Sequence, residues 1–576
     1  MVIELHNRPG TGPDPWTDEV HHEGVAVEVD RVSRRVKERR GQVTTLLGDV
    51  TFSIAPGELV AIVGPSGAGK TTLLETMAGV APATEGSVRF DGLDVHANLR
   101  TFRGVIGFVP QDDTIHADLP LQHTLHYAAR LRLPPSTAAA ETARAVVDAM
   151  ATVGLAGQAG VRVGALSGGQ RKRANIAVEL LTDPRVFFLD EPTSGLDPST
   201  SADLIAHLRK LADHSATVVF TTHSVDDLAA CDRVVFMARG GHVAFVGPVE
   251  AALEHFAVDS IADLFRRLAE GADALPVASG AAVRSMPAVA ARDVQRRPVA
   301  GALTQWSVLT RRSAETFVRN PLTLAILLAS PVLVVSMFAV LFRPGTFDVA
   351  HPSPSAMVMI GFWIVFAAFF FGLTYALLQI VSERSVVHRE RLVGLHLGAY
   401  VASKVTVLVP FLFTVIVAML GVLRLLDRLP DRPLSTYASM TASLLLCAIA
   451  ALGLGLLASA SVKNVAQATL ALPMLCFPAV LFSGAILPVH LMASVGVVLS
   501  TIIPSRWAFE AIGHDLGARA IFAHGGSPLG PPLLESYGSA GTASTGTYCL
   551  VLAGFSVLFL TATAAVLARS TRTTTR

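Results

Sequence analysis

Residues 64–72 read Gly-Pro-Ser-Gly-Ala-Gly-Lys-Thr-Thr, and Gly64, Gly69, Lys70 and Thr71 keep the spacing of a phosphate-binding loop. The apolar run Glu58-Leu-Val-Ala-Ile-Val63 reads as a buried strand, and Thr71 to Ala78 reads as the helix that follows it. The glycines therefore fall at a strand-to-helix turn, which constrains this part of the chain to an α/β arrangement. In such a turn Gly64, Pro65, Ser66, Gly67, Ala68, Gly69, Lys70, Thr71 and Thr72 wrap backbone N–H groups around phosphate oxygens. Lys70 supplies a point charge, the helix N-terminus a favourable dipole, and the Thr71 hydroxyl can reach a magnesium ion.

Composition divides the chain in two. Of 576 residues, 51% are hydrophobic and only 16% charged, which is too apolar for a soluble multidomain enzyme, and the apolar excess lies after Asn320. Six stretches there, 321–342, 356–380, 405–423, 436–461, 465–489 and 547–568, contain no Asp, Glu, Lys or Arg. Each approaches the roughly 20 residues that cross a bilayer as a helix. With a cytoplasmic start, six crossings leave both termini inside and put Arg311, Arg312, Arg319, the cluster Arg384 to Arg391, Lys404, Lys463 and Arg569 on the cytoplasmic side. Arg424, Arg428 and Arg432 go against that rule, interleaved with Asp427 and Asp431. Leu491 to Ile503 is too short to cross and is expected as a re-entrant or interfacial segment before a long external loop, 504–545.

The remaining organisation is a leader (1–23), an α/β domain (24–256), a linker (257–302) and an amphipathic helix at the membrane surface (303–320), with 321–576 as the membrane domain. The leader lacks the apolar core of a signal peptide. A net charge of +1 gives no footprint for nucleic acid. Cys231, Cys447, Cys476 and Cys549 show no ligand spacing and are assigned neither metal nor disulfide.

Further positions join the phosphate loop. Gln111 ends the strand-like Val105-Ile-Gly-Phe-Val-Pro-Gln-Asp-Asp113 and can attend magnesium or the attacking water. Leu166-Ser-Gly-Gly-Gln-Arg-Lys-Arg173 is a glycine turn entering a helix, where Ser167, Gly168, Gly169 and Gln170 can meet a phosphate. Val186-Phe-Phe-Leu-Asp-Glu191 carries Asp190 and Glu191 to the end of a buried strand, and His223 closes the strand Ala216 to Thr222.

The ordered set of phosphate loop, Gln111, LSGGQ, FFLDEPTSGLD and His223 resembles an ATP-binding cassette. That resemblance implies ATP and Mg2+ as cofactors, with Lys70 on the phosphates, Thr71, Gln111 and Asp190 at the metal, Glu191 as general base and His223 at the γ-phosphate. It also implies that Ser167, Gly168 and Gly169 contact ATP held by a partner cassette. Cassettes commonly stack adenine on an upstream aromatic residue, yet Gly24 to Thr51 contain one aromatic side chain fewer than that pattern needs, namely none.

The cassette-first order, Gln111-Asp-Asp113, SGGQRKR, Arg319-Asn-Pro321, Ser382 to Glu390, Phe482-Ser-Gly484 and Ser505 to Glu510 together resemble the G subfamily of these transporters. The implied fold is an α/β P-loop nucleotide-binding cassette followed by an all-α six-helix transmembrane domain of the ABC-2 type. The implied protein is an ATPase in the cytoplasmic membrane, a half-transporter paired with a second copy or a related chain. Its expected cargo is hydrophobic or amphiphilic, a lipid, glycolipid or drug-like molecule, with export of a cell-envelope glycolipid or polysaccharide as the alternative within that class. A membrane ATPase that regulates a partner without transporting is the rival reading. Phe362, Trp363, Phe366, Phe369, Phe370 and Phe371 are candidates for the cargo path, with helix packing as the competing role.

Overall fold

The computed structural model describes residues 24–37, 42–270, 298–348, 352–524, 527–537 and 542–572, apart from single positions 100, 103, 113 and 215. The leader, Asp113 and residues 271–297 of the expected linker lie outside the described residues. The chain forms two compact units that divide at about residue 300.

Among the described residues the first unit holds ten strands: β1 (Val27–Lys37), β2 (Val43–Ile54), β3 (Leu59–Val63), β4 (Glu85–Phe90), β5 (Leu93–Asp94), β6 (Ile106–Val109), β7 (Val186–Leu189), β8 (Thr217–Thr221), β9 (Arg233–Ala238) and β10 (His242–Gly247). Strands β2, β1, β4 and β5 form an antiparallel sheet. The second sheet runs β10-β9-β3-β8-β7-β6, parallel throughout except for β10.

Strand β3 is apolar at every position because both faces of its sheet are covered. Leu59, Ala61 and Val63 pack with the helices Leu121–Arg132, Ala139–Thr152, Gly168–Leu180 and Pro198–Asp213, whereas Val60 and Ile62 pack toward the antiparallel sheet and helix Lys70–Met77. Parallel pairing brings the C-terminal ends of β3, β6, β7 and β8 to one edge, which is where an open α/β sheet binds ligands.

The unit does not stop at residue 256. A helix, Ile261–Glu270, occupies the start of the segment expected as linker, and its Leu264 and Leu268 are fully buried. The physical reason is local: Ser260 Oγ accepts the Asp263 N–H (3.2 Å) and donates to the Asp263 carboxylate (2.7 Å), a helix start.

The second unit is helical. Ala302–Arg319 is a helix, with Leu303 and Val318 exposed and Leu309 buried. Among the described residues four segments are long and apolar enough to cross a membrane: Pro354–Leu392, Leu397–Leu425, Leu434–Ser461 and Thr545–Ser570. The pair Ser494–Thr501 and Pro504–Asp515, bent by 82°, makes a fifth if it counts as one span. The expected first stretch is a helix, Pro321–Leu341, with Pro331 inside it. The expected fifth stretch, 465–489, is helical only over Val465–Leu481, 17 residues, and Gly484 then takes a left-handed φ of 80°.

Two segments expected as loops are helices. Arg384–Leu392 continues in helical form beyond the second span, and the segment expected as an external loop contains Pro504–Asp515, Ala518–His524 and Gly530–Tyr537. Helices Pro354–Leu377 and Leu434–Ser461 approach so closely that a Cβ on Gly372 would stand 2.1 Å from the Ala448 carbonyl oxygen. Small residues permit that approach where lipid offers no hydrophobic drive between helices. In the aromatic group, Phe362, Phe369 and Phe371 are buried in this packing and Trp363 is exposed.

Candidate functional site

The phosphate loop leaves β3 at Gly64 and enters helix Lys70–Met77 through Gly69, whose φ of 90° is left-handed and whose missing Cβ leaves room for the Leu46 carbonyl. Lys70 bends back over the loop, its Nζ donating to the carbonyl oxygens of Gly64 (2.9 Å) and Pro65 (3.3 Å). Burial lowers the Lys70 pKa, partly opposed by the carboxylates of Glu191 and Asp190.

The acidic pair stands beside it. Asp190 Oδ1 accepts hydrogen bonds from Thr71 Oγ1 (3.1 Å) and Thr221 Oγ1 (2.6 Å). Burial raises the Asp190 pKa, with those two hydroxyls acting in the opposite sense. Glu191 has a positive φ of 45°, and its N–H donates to Thr221 Oγ1 (2.8 Å). Gln111 Nε2 donates to Glu191 Oε2 (3.1 Å), and His223 Nδ1 lies 3.8 Å from that same oxygen.

Thus Lys70, Thr71, Gln111, Asp190, Glu191 and His223 converge on one sheet edge. A cavity of about 410 Å³ is lined by Gly64, Pro65, Ser66, Lys70, Glu191, His223 and Phe265. The neighbouring side-chain oxygens of Thr71 and Asp190 are hard donors of the kind that magnesium takes, and the Gln111 side chain, bonded to Glu191 through its amide nitrogen, carries another such oxygen. They fit that ion, and when bound it neutralises phosphate charge.

The glycine turn is built elsewhere. Ser167 caps helix Gly168–Leu180, its Oγ accepting the Gln170 N–H (3.2 Å) while Gln170 Oε1 accepts the Ser167 N–H (3.0 Å). Ser167 and Gly168 are exposed, and none of Ser167, Gly168, Gly169 and Gln170 lines the cavity above the phosphate loop. Among the described residues, the glycine turn is therefore not part of the cavity above the phosphate loop.

Four residues escaped sequence reasoning. Thr221 joins the Asp190 carboxylate to the Glu191 backbone, and Phe265 reaches the cavity from a segment taken as linker. Lys172 donates to the Gln111 carbonyl, and Asn175 Oδ1 accepts from Thr114 N (3.2 Å) and Oγ1 (3.1 Å), binding the Gln111 segment to the glycine-turn helix. Ser260 and its cap with Asp263 were the available signal for Phe265; for the others there was only pairing across strands and helices.

Residues 47–194 match the ABC transporter family and residues 304–514 the ABC-2 type transporter family. The "ABC transporter ATP-binding/permease protein Rv1747" of Mycobacterium tuberculosis is 33% identical over 489 residues, 81% of this chain and 55% of that protein. "ABC transporter G family member 14" of Arabidopsis thaliana is 34% identical over 242 residues, 40% of this chain and 36% of that protein. The chain therefore spans about half the length, or less, of these curated relatives. Among solved structures, the ATP-binding cassette MJ0796 bound to ADP and Pi is similar at 27% identity with a TM-score of 0.36, covering 39% of this chain and 98% of that one. With a phosphate loop and acidic strand ends in one half and apolar helices in the other, the chain joins a domain of the ABC transporter family to a following domain of the ABC-2 type transporter family.

Proposed function

We propose that this chain is a half-transporter that pairs with a second copy or a related chain and uses ATP hydrolysis to export a hydrophobic or amphiphilic molecule across the cytoplasmic membrane. The observation that carries the pairing is the separation of the two groups of phosphate-binding residues. Among the described residues the turn at Ser167 is exposed and contributes nothing to the lining of the cavity at Lys70, so each is open to a partner chain. Two copies related by a two-fold axis supply each half with its complement.

Within one half, Lys70 and the loop amides bind and orient the phosphates, and Thr71, Asp190 and Gln111 hold the magnesium that accompanies them. Glu191 accepts a proton from the attacking water, for which its placement at the strand end beside Gln111 and His223 is suited. His223, exposed at the cavity wall, orients the terminal phosphate.

The cargo class is supported by a second cavity, of about 400 Å³, in the membrane unit. Its wall is largely apolar, including Phe347, Met357, Phe509, Ile512 and Phe522, with Arg519 among the few polar groups. The aromatic group considered as a cargo wall, Phe362 to Phe371, is absent from this lining.

The test is reconstitution of the purified chain in liposomes loaded with a lipid and metabolite extract. ATP-dependent movement of an amphiphile, together with cargo-stimulated ATP hydrolysis, is expected. ATP hydrolysis with no vectorial movement of any component would overturn export in favour of a regulatory ATPase.

A further inference from the structure

We propose that Thr221 is a positioning residue for ATP hydrolysis, its one hydroxyl holding the backbone of Glu191 and the carboxylate of Asp190 in working register. Thr221 is the last residue of β8, fully buried beside β7, the strand that ends just before Asp190. Between Thr217 and Thr221 the strand is Val218, Val219 and Phe220, all fully buried. A hydroxyl is tolerated in such surroundings only when it is paired.

Its pairing is specific. The hydroxyl has one proton and two lone pairs: the proton goes to Asp190 Oδ1 (2.6 Å), and a lone pair receives the Glu191 N–H (2.8 Å). Valine has the same shape and can do neither. The Glu191 N–H matters because this residue is held at φ 45°, a left-handed conformation that a non-glycine residue keeps only when its surroundings impose it. The Thr221 hydroxyl is the side-chain partner of that backbone, and the Ser194 N–H to Glu191 carbonyl bond (3.1 Å) continues the turn. Asp190 has a second donor in Thr71 (3.1 Å), so loss of Thr221 leaves the Asp190 carboxylate with a partner but frees the Glu191 backbone.

The consequence separates binding from turnover. The side-chain hydrogen bonds of Thr221 go to Asp190 and Glu191 and to neither Lys70 nor the loop 64–69, so affinity for ATP is expected to be retained. The direction of the Glu191 side chain depends on the restrained backbone, so the proton-accepting geometry is degraded. The proposal rests on the reading of Glu191 as the general base.

The experiment compares Thr221→Val, Thr221→Ser and Glu191→Gln in the full-length chain, purified in lipid nanodiscs, for thermal stability, ATP affinity, KM and kcat. Thr221→Val is expected to lower kcat by about 10- to 100-fold, the range for loss of a hydrogen bond involving a charged group, with KM and ATP affinity near wild type. Thr221→Ser, which restores the hydroxyl, is expected to regain most of kcat. A Thr221→Val chain with wild-type kcat overturns the proposal, as does a Thr221→Ser chain no faster than Thr221→Val at equal stability. Equal losses in ATP affinity and kcat also overturn it. If Thr221→Val fails to fold, Thr221→Ala and Thr221→Cys are read the same way, the weak thiol donor being expected to retain more kcat than the methyl group. Turnover in Glu191→Gln refutes the base assignment itself, whereas an inactive Glu191→Gln beside a normal Thr221→Val removes only Thr221.

Discussion

Arg312 and Glu390 clasp each other 78 residues apart in sequence, Nη2 3.1 Å from Oε2 with a second contact between Nη1 and Oε1, and their side chains are only 5% and 6% exposed. The pair ties the amphipathic helix Ala302–Arg319 to helix Arg384–Leu392. Close by, Glu383 accepts from Lys404 Nζ (2.7 Å) and from the Tyr400 hydroxyl (2.9 Å). Glu383 and Glu390, in the charged segment that follows the second apolar stretch, are therefore internal anchors of the membrane unit.

Reversing one of these charges breaks an internal pair and leaves like charges facing each other in a dry environment. Glu390→Lys is expected to cost about 3–5 kcal/mol, whereas an apolar replacement of both partners, Arg312→Met with Glu390→Leu, recovers most of the stability. Thermal unfolding in detergent checks this. A large loss of transport in Glu390→Lys with an unchanged unfolding midpoint would refute the anchoring role and make the pair a coupling element.

Glu191→Gln preserves the shape and the Thr221 bond to the backbone while removing the proton acceptor. ATP binding is expected to persist and turnover to fall by about a hundredfold or more. Steady-state hydrolysis alongside equilibrium binding of a fluorescent ATP analogue measures both. Near-normal hydrolysis would remove Glu191 from the role of base.

Complementation tests the pairing of chains. Lys70→Ala damages the phosphate loop and Ser167→Arg blocks the exposed turn, so a mixed pair of these chains contains one composite site with both halves intact. Nucleotide trapping in co-purified, differently tagged chains is expected to exceed that of either mutant alone. Full hydrolysis by a verified monomer would refute the two-chain site.

Asp190 provides a test through stability. Burial raises its pKa, so the folded chain holds this proton more tightly than the unfolded one. The stabilisation carried by the neutral form is complete below the unfolded value and is lost as pH rises through the folded value. At neutral pH the ionised carboxylate is thus a cost to the nucleotide-free chain, which Asp190→Asn relieves. The asparagine variant is expected to melt at higher temperature without nucleotide and to lose magnesium-dependent hydrolysis. A lower melting temperature at pH 7 would show that the carboxylate stabilises the fold through its two hydroxyl partners.

The sequence by itself marked which residues stand at the strand ends. Gly64 to Thr72, Gln111, Asp190, Glu191 and His223 are each marked by short-range pattern, an apolar strand followed at once by the reactive residue. Strands that pair in parallel must present those residues on one edge, so the local order already implied their convergence. Apolar length likewise foretold the helical membrane unit. What only the tertiary structure decided depends on partners distant in sequence: Thr221 bridging Asp190 and Glu191, Lys172 and Asn175 holding the Gln111 segment, and Arg312 burying Glu390. A threonine in a strand or a charged residue after a span carries no local mark of its partner, because pairing across elements is set by register and packing rather than by sequence period. The same holds for Phe265, whose helix leaves an apolar stripe in sequence but whose place beside Lys70 follows from where Leu264 and Leu268 are buried.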